Sequence, residues 1–280
     1  MVATPIGNLG DLTQRAISAL AAADIVLAED TRKTGILFKR LGLSSPSFLS
    51  LFEHNEEKRI EAVLEHLSQG KDLALVSSAG TPLLSDPGYR IVRACRKRGF
   101  AVQPVPGPTA PAVALMGSGI SPLPYTFLGF LPRKKREQER LLGQFSQLHT
   151  TLVFFERKSR LASSLETAYQ CLGPREVCLG RELTKQHEEF IFFELGQWQF
   201  LPSKPQGEFT VVLGPPDPGR EIATPREEVL GVLREERGSG EKPKRVVESS
   251  RERVKGWSKK DVYQLYLELE KDKGPGNREA

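Results

Sequence analysis

The chain has 280 residues, 39% hydrophobic and 27% charged, with a net charge of +5, enough to bury one large core or two moderate ones. No stretch nears the roughly 18 uninterrupted apolar residues of a membrane helix, and the first residues lack the charged and apolar regions of a signal peptide, so a cytoplasmic protein is expected. Cys95, Cys171 and Cys178, odd in number and without C-x-x-C, point to reduced thiols, and the scattered His54, His66, His149 and His187 fit no metal-ligand spacing, so no metal is expected.

Strand-like and helix-like segments alternate through the first 120 residues. The stub Met1–Ala3 is short for a strand, and the expectation is a chain that opens in mid-strand, through a misassigned start or a truncation. Asp11, with Gln14 three positions on, is the expected cap of a helix whose apolar stripe is Leu12, Ala16, Ile17 and Leu20. Ile25–Ala28 reads as a buried strand, and Thr31 as the cap of a second helix that Gly42 ends. Phe48–Leu51 is strand-like, and Glu56–Gln69 is helical. Leu73–Ser77 and Phe100–Val105 are further strands, flanking a helix that begins near Pro87 and stops at Gly99. Such alternation implies a mainly parallel sheet covered on both faces.

The turn formers of GSGISPLP at 117–124 place a boundary there, giving an N-terminal α/β domain at 1–120 and a mixed α/β domain at 121–214. In the latter, Thr126–Phe130, Leu152–Phe155, Val177–Gly180, Glu189–Glu194 and Glu208–Leu213 read as strands, and Arg133–Leu148 and Ser159–Cys171 as helices. Residues 215–280 are charged and poor in aromatics. Val246, Val247 and Val254 nevertheless share a helical side, and Ser258 with Asp261 forms a capping box ahead of Val262, Leu265, Tyr266 and Leu269, so two helices are expected in a small extension.

Three glycine- and proline-rich loops follow apolar runs: ATPIGNLGD at 3–11, SSAGTPLLSDPG at 77–88 and PVPGPTAPAVAL at 104–115. Loops of this kind at strand ends let a ligand approach the main chain closely. None is G-x-G-x-x-G or G-x-x-x-x-G-K-[ST], so neither common phosphate fingerprint applies. Glu29 and Asp30 stand at a strand end with Arg32 just beyond, and Glu53 and His54 are placed similarly; Asp30 equally suits a helix cap, and Glu53 and His54 a solvated loop. Arg237–Lys260 carries nine Lys or Arg against three Glu, and Arg133–Arg140 five against two, clusters that suit a polyanion such as RNA and equally a solvated helix face.

VATPIGNLGDLTQRA at 2–16, AEDTRKTGILF at 28–38, VSSAGTPLLSDPGYRIV at 76–92, FLGFLPRKKREQER at 127–140, GRELTKQHEE at 180–189 and GEFTVVL at 207–213 resemble, in order, the tetrapyrrole-methylase superfamily of S-adenosylmethionine (SAM) methyltransferases. The branch they resemble is ribosomal RNA small subunit methyltransferase I, and GWSKKDVYQLYLELEK at 256–271 resembles that branch's helical extension. The resemblance implies two α/β domains with SAM folded in the cleft between them, a homodimer, and 2′-O-methylation of a cytidine in the decoding region of small-subunit ribosomal RNA. It points to Glu29, Asp30, Arg32, His54 and Asn55 as active-site lining. For SAM it points to Pro5 and Gly7; to Ser78, Ala79, Gly80 and Thr81; to Pro106, Gly107, Thr109 and Ala110; and to Leu128, Gly129, Phe130, Leu183, Gly207 and Glu208.

The chain departs from the pattern twice. Ser78 stands where the family usually has Asp, and FFERKSR at 154–160 where it has F-Y-E-S-x-H-R, which removes a histidine. A 2′-hydroxyl needs a proton acceptor, for which acidic and imidazole side chains near the loops all remain open. A tetrapyrrole or other small-molecule methylase is the first alternative, disfavoured because such relatives open with G-x-G-P-G-D. A non-catalytic RNA-binding protein of the same fold is the second.

Overall fold

The computed structural model describes residues 1–201, 206–217, 224, 226–238, 241–254 and 256–271. Two sheets divide the first 213 residues. The first holds β1 (Ile25–Ala28), β2 (Ser47–Ser50) and β3 (Leu73–Val76) in the order β2-β1-β3, all parallel. All four residues of β1 are buried, which is why it reads as a continuous apolar run: a central parallel strand is covered on both faces. The opening stub joins this sheet through Val2, which bridges in parallel to Val76 and to Val105.

The expected strand Phe100–Val105 reduces to that one bridge at Val105. Pro104 and Pro106 on either side have no N–H for a ladder.

Two expected helix caps move by one or two residues. Asp11 ends a short 3-10 turn, Leu9–Asp11, and the helix α1 (Gln14–Ala21) is capped by Thr13, whose Oγ1 accepts from the Ala16 N–H at 3.1 Å. The helix α2 (Thr31–Arg40) is capped by Asp30, which accepts from Arg32 N at 3.0 Å and Lys33 N at 3.3 Å. In both cases the side chain one position outside the helix reaches the exposed first-turn donors.

Between α3 (Glu56–Ser68) and α4 (Tyr89–Lys97) one buried carboxylate does the capping from a distance. Glu56 Oε1 accepts from the backbone N–H of Gly88 at 3.1 Å, Arg90 at 2.6 Å and Ile91 at 3.3 Å, at the positive end of α4. Glu56→Ala leaves these donors unpaired in a buried site. The expected cost is about 1–3 kcal/mol, read as a lower urea midpoint with an unchanged slope.

The second sheet contains β4 (Tyr125–Phe130), β5 (Thr151–Arg157), β6 (Glu176–Arg181), β7 (Glu189–Glu194) and β8 (Glu208–Leu213) in the order β4-β5-β8-β6-β7. Only the β4–β5 pair is parallel, so the sheet is mixed, as fewer helices per strand imply. Side chains alternate between two cores. Leu152 and Phe154 of β5 with Val211 and Leu213 of β8 face α7 (Leu161–Leu172) and Leu142 of α6 (Lys135–Gly143). Val153 and Val212 face the opposite way, onto Ala114 and Leu115 of α5 (Ala110–Ser118). Thus α5, whose sequence lies in the first 120 residues, packs on the second sheet.

The extension has three helices where the sequence suggests two: α8 (Arg226–Arg237), α9 (Pro243–Arg253) and α10 (Lys259–Lys271). Val229 and Leu233 of α8 complete a core with Val246, Val247, Val254, Val262, Leu265, Tyr266 and Leu269. The capping box is present, with Asp261 N donating to Ser258 Oγ and Ser258 N to Asp261 Oδ2, both at 3.2 Å. Much of the basic run is occupied by neighbouring acids: Arg237 with Glu270, Arg245 with Glu241, Arg253 with Glu235 and Glu236, and Lys259 with Glu248. Such exposed pairs add little stability but reduce the charge offered to a polyanion.

Candidate active site

A cleft of about 840 Å³ opens between the two sheets. Its walls come from the carboxyl ends of β1, β3, β4, β5 and β6, from the first residues of α5, and from the start of β8. From the first sheet come Glu29 and the loop Ser78–Thr81, with Leu84, Ser85 and Asp86; from the second, Phe130, Arg157, Leu183 and Gly207–Thr210. A smaller chamber of about 250 Å³ adjoins it and shares Ile6, Lys33, Ser78, Ala79 and Glu208 with it.

The loops are locked by backbone. Gly80 N donates to Thr4 O at 3.0 Å and Gly80 O accepts from Thr4 N at 2.9 Å, which fastens the second loop to the first. Gly80 has φ +79, and a Cβ there would lie 3.1 Å from Ile6 Cγ2 in the cleft wall. The first loop docks on the second sheet: Asn8 N donates to Thr184 Oγ1 at 3.0 Å, and a Cβ on Gly7 would lie 2.5 Å from Lys185 Cγ. Among the described residues four non-glycines have positive φ, Leu83, Ser85, Glu182 and Thr184, all in the two loops that flank the cleft. Such conformations cost about 1–3 kcal/mol each and persist where packing enforces them, commonly at functional sites.

Charge is concentrated at three points. Burial, then the neighbouring charge of Glu29, pushes the Asp86 carboxyl up from 3.8 to about 7. At the other wall the Glu156 side chain is fully buried and saturated: it accepts from Arg157 N at 2.7 Å, Ser164 Oγ at 2.6 Å, and Arg160 Nε and Nη2 at 3.0 and 2.7 Å. Arg160 Nη2 also donates to Leu131 O at 2.8 Å, so this cluster fixes where β5 ends and where Arg157–Ser159 enter the cleft. A third network holds the β6–β7 loop against β8. Glu182 accepts from Glu208 N at 2.8 Å, a bond that with Lys185 holds its carboxyl below the usual range, and Lys185 Nζ reaches Glu208 at 2.7 Å. Among the described residues no cluster of His, Cys, Asp or Glu is placed to hold a metal ion.

A model of the tetrapyrrole (corrin/porphyrin) methylases matches residues 1–199. The chain belongs to this family. It is 44% identical over 215 residues to ribosomal RNA small subunit methyltransferase I of Thermotoga maritima, covering 76% of this chain and 96% of that one. The protein of the same name from Synechocystis is 37% identical over 275 residues, covering 97% and 98%. The fold is also that of the methyltransferase CobJ, with a TM-score of 0.59 at 19% identity over 76% of this chain and 92% of the other. Family membership makes the chain a methyltransferase, with SAM as its cofactor.

The cleft fits that cofactor. Its volume lies within the roughly 300–1,000 Å³ of small-molecule sites. Ile6, Ala110, Phe130 and Leu183 supply apolar wall, Glu29 and Glu208 negative charge suited to a sulfonium and an ammonium, and Lys33 and Arg157 positive charge suited to a carboxylate.

Of the SAM-contact residues that the family resemblance implies, Ser78, Ala79, Gly80, Thr81, Thr109, Ala110, Phe130, Leu183, Gly207 and Glu208 come together in the cleft wall. Pro5 and Gly7 line the side chamber instead. Pro106, Gly107, Leu128 and Gly129 are in neither wall; Gly107 is small because Ala3 packs on it, with Cβ to Cβ at 2.8 Å if a side chain were added. Of the expected active-site lining, Glu29 alone faces the cleft. Asp30 is spent on capping α2 and pairing Arg32, whose side chain is 90% exposed. His54 is exposed, and Asn55 braces its own loop by accepting from Phe52 N at 2.8 Å and donating to Ser50 O at 3.1 Å.

Asp86 and Glu156 belong to the site without being among the residues that the family resemblance implies, although both lie in its motifs, SDPG and FFERKSR. A residue type in the middle of a known motif was the available signal.

Gly80→Val tests the loop assignment. A β-branched residue at φ +79 is strained and pushes Ile6 into the cleft, so calorimetry on the folded variant should show SAM binding weakened roughly ten- to hundredfold. Native affinity would remove the second loop from the site.

Proposed function

We propose that this chain transfers the methyl group of SAM to small-subunit ribosomal RNA, at the 2′-hydroxyl of a cytidine in the decoding region. The observation that supports the reading as far as small-subunit ribosomal RNA is the likeness, over 76% and 97% of the chain, to proteins named ribosomal RNA small subunit methyltransferase I; the cytidine 2′-hydroxyl is what the family resemblance implies. We include in the proposal a homodimer in the cytoplasm, and a division into units at 1–120, 121–214 and 215–280.

SAM supplies an electrophilic methyl group that carries its own leaving group. The protein's part is alignment, exclusion of water and care of a proton. Ser78–Thr81, Thr109, Ala110, Leu183 and Gly207 form the cofactor's bed, with backbone groups at strand ends as its polar contacts. Glu29 and Asp86, both in the wall, are the carboxylates that accept the hydroxyl's proton or hold the water that does so. Arg157 and Lys158, presented by the Glu156 cluster, meet the substrate's phosphates. Asp30 and Asn55 hold their own loops in shape, and the exposed Arg32 and His54 meet the RNA outside the cleft.

The test offers labelled SAM in parallel to free ribosomal RNA, isolated small subunits and a precorrin. Label in the RNA of either of the first two supports the reading. Label in the precorrin alone would return the chain to small-molecule methylation.

A further inference from the structure

We propose that the side chamber beside the cleft is an RNA subsite that takes the nucleotide next to the one methylated, holding its phosphate and packing its base. The inference rests on the ribosomal RNA reading above and deepens it.

One wall of the chamber is a single face of α2. Lys33, Ile36, Leu37 and Arg40 follow at helical spacing, and all four line it. The opposite wall is the first loop, with Pro5, Gly7 and Leu9. Neither the Lys33 ammonium nor the Arg40 guanidinium has a hydrogen-bond or ion-pair partner among the described residues. Of the other cations near the cleft, Lys185 is engaged by Glu182 and Glu208, Arg160 by Glu156 and Arg181 by Glu189, while Arg157, at the wall formed by the second sheet, lines the cleft and not the chamber. Two unpaired cations seven residues apart on a helix sit roughly 10 Å from each other along its axis. Between them Ile36 is 55% exposed, and Leu9 across the gap is 36% exposed.

Cationic ends around an apolar centre match a nucleotide in a single strand, with phosphate at the ends and a base face in the middle. The chamber, about 250 Å³, is continuous with the cleft through Lys33, Ser78 and Glu208, so its occupant lies beside the occupant of the cleft. Arg40 and Ile36 line the chamber and not the cleft, so they separate RNA binding from SAM binding.

The experiment measures, with the full chain and the RNA substrate that the native protein methylates, half-saturation for single-turnover methylation across a salt series, with SAM affinity by calorimetry. Arg40→Gln and Ile36→Asp should each raise half-saturation about five- to twentyfold, and Arg40→Gln should lower the salt slope by about one. Both should leave SAM affinity unchanged. Lys39→Gln, which removes an equal charge from α2 outside the chamber, is the control and should change half-saturation less than twofold. Equal effects of Arg40→Gln and Lys39→Gln, or native half-saturation in both chamber variants, would overturn the subsite while leaving the substrate reading intact. A native chain that methylates no RNA under any condition would overturn both.

Discussion

Glu156→Ala should lower the melting temperature by about 6–20 °C. Glu156 is fully buried and its two oxygens take four hydrogen bonds, two of them from Arg160, whose side chain is 24% exposed. Breaking a buried ion pair by removing one partner costs about 3–5 kcal/mol, since the other charge is left behind without compensation. In a chain of this size each kcal/mol moves the midpoint by roughly 2–4 °C. Glu156→Gln keeps the shape and loses the charge, and should fall between. Because Arg157 N–H is one of the four donors, methyl transfer should suffer in the Gln variant even where the fold survives. A midpoint within 2 °C of native for the Ala variant would mean that the cluster relaxes onto water, and that β5 ends where it does for another reason.

Glu29→Gln should slow single-turnover methylation roughly 10²-fold or more with SAM affinity nearly unchanged, because a proton acceptor matters mainly in the transition state. Asp86→Asn should do so less but should change the pH profile. Burial and Glu29 hold the Asp86 proton to about pH 7 in the folded chain, against 3.8 when unfolded. The rate of the native chain should therefore climb through about pH 7 as Asp86 ionises, and the climb should vanish in Asp86→Asn. Stability runs the other way. A folded state that holds the proton more tightly gains stability that is full below about pH 3.8 and lost as pH rises through 7. Between pH 5 and 8 the native melting temperature should fall further than that of Asp86→Asn. Parallel curves for the two proteins would show that Asp86 titrates as an ordinary surface acid.

Much of the scaffold was legible because its strands announce themselves. IVLA at 25–28 and the apolar runs of β5 and β8 read as buried strands with no tertiary information, and the family wording of the loops located the cleft. What stayed hidden depends on contacts distant in sequence. Glu56 caps a helix 32 residues later, and α5 leaves the half of the chain it belongs to in order to pack on β6, β7 and β8. The third helix of the extension was missed because REEVLGVLREER, at 226–237, buries only Val229 and Leu233, too few apolar positions to stand out in a charged stretch. In the site, Asp30 and Asn55 satisfy local backbone donors, a use that side-chain chemistry alone does not distinguish from catalysis. Asp86 needed the opposite knowledge, that the fold buries it and sets Glu29 beside it on the same wall.

The central claim is that the cleft between the two sheets carries SAM to a ribose of small-subunit ribosomal RNA. Its most direct test is nucleoside mass spectrometry of RNA from small subunits lacking this modification, after incubation with the full chain and isotopically labelled SAM. The account predicts the label in 2′-O-methylcytidine, at a single position in the decoding region, and its loss with Glu29→Gln. Label on a base, in another nucleoside, or in no RNA while a precorrin accepts it, would contradict the account.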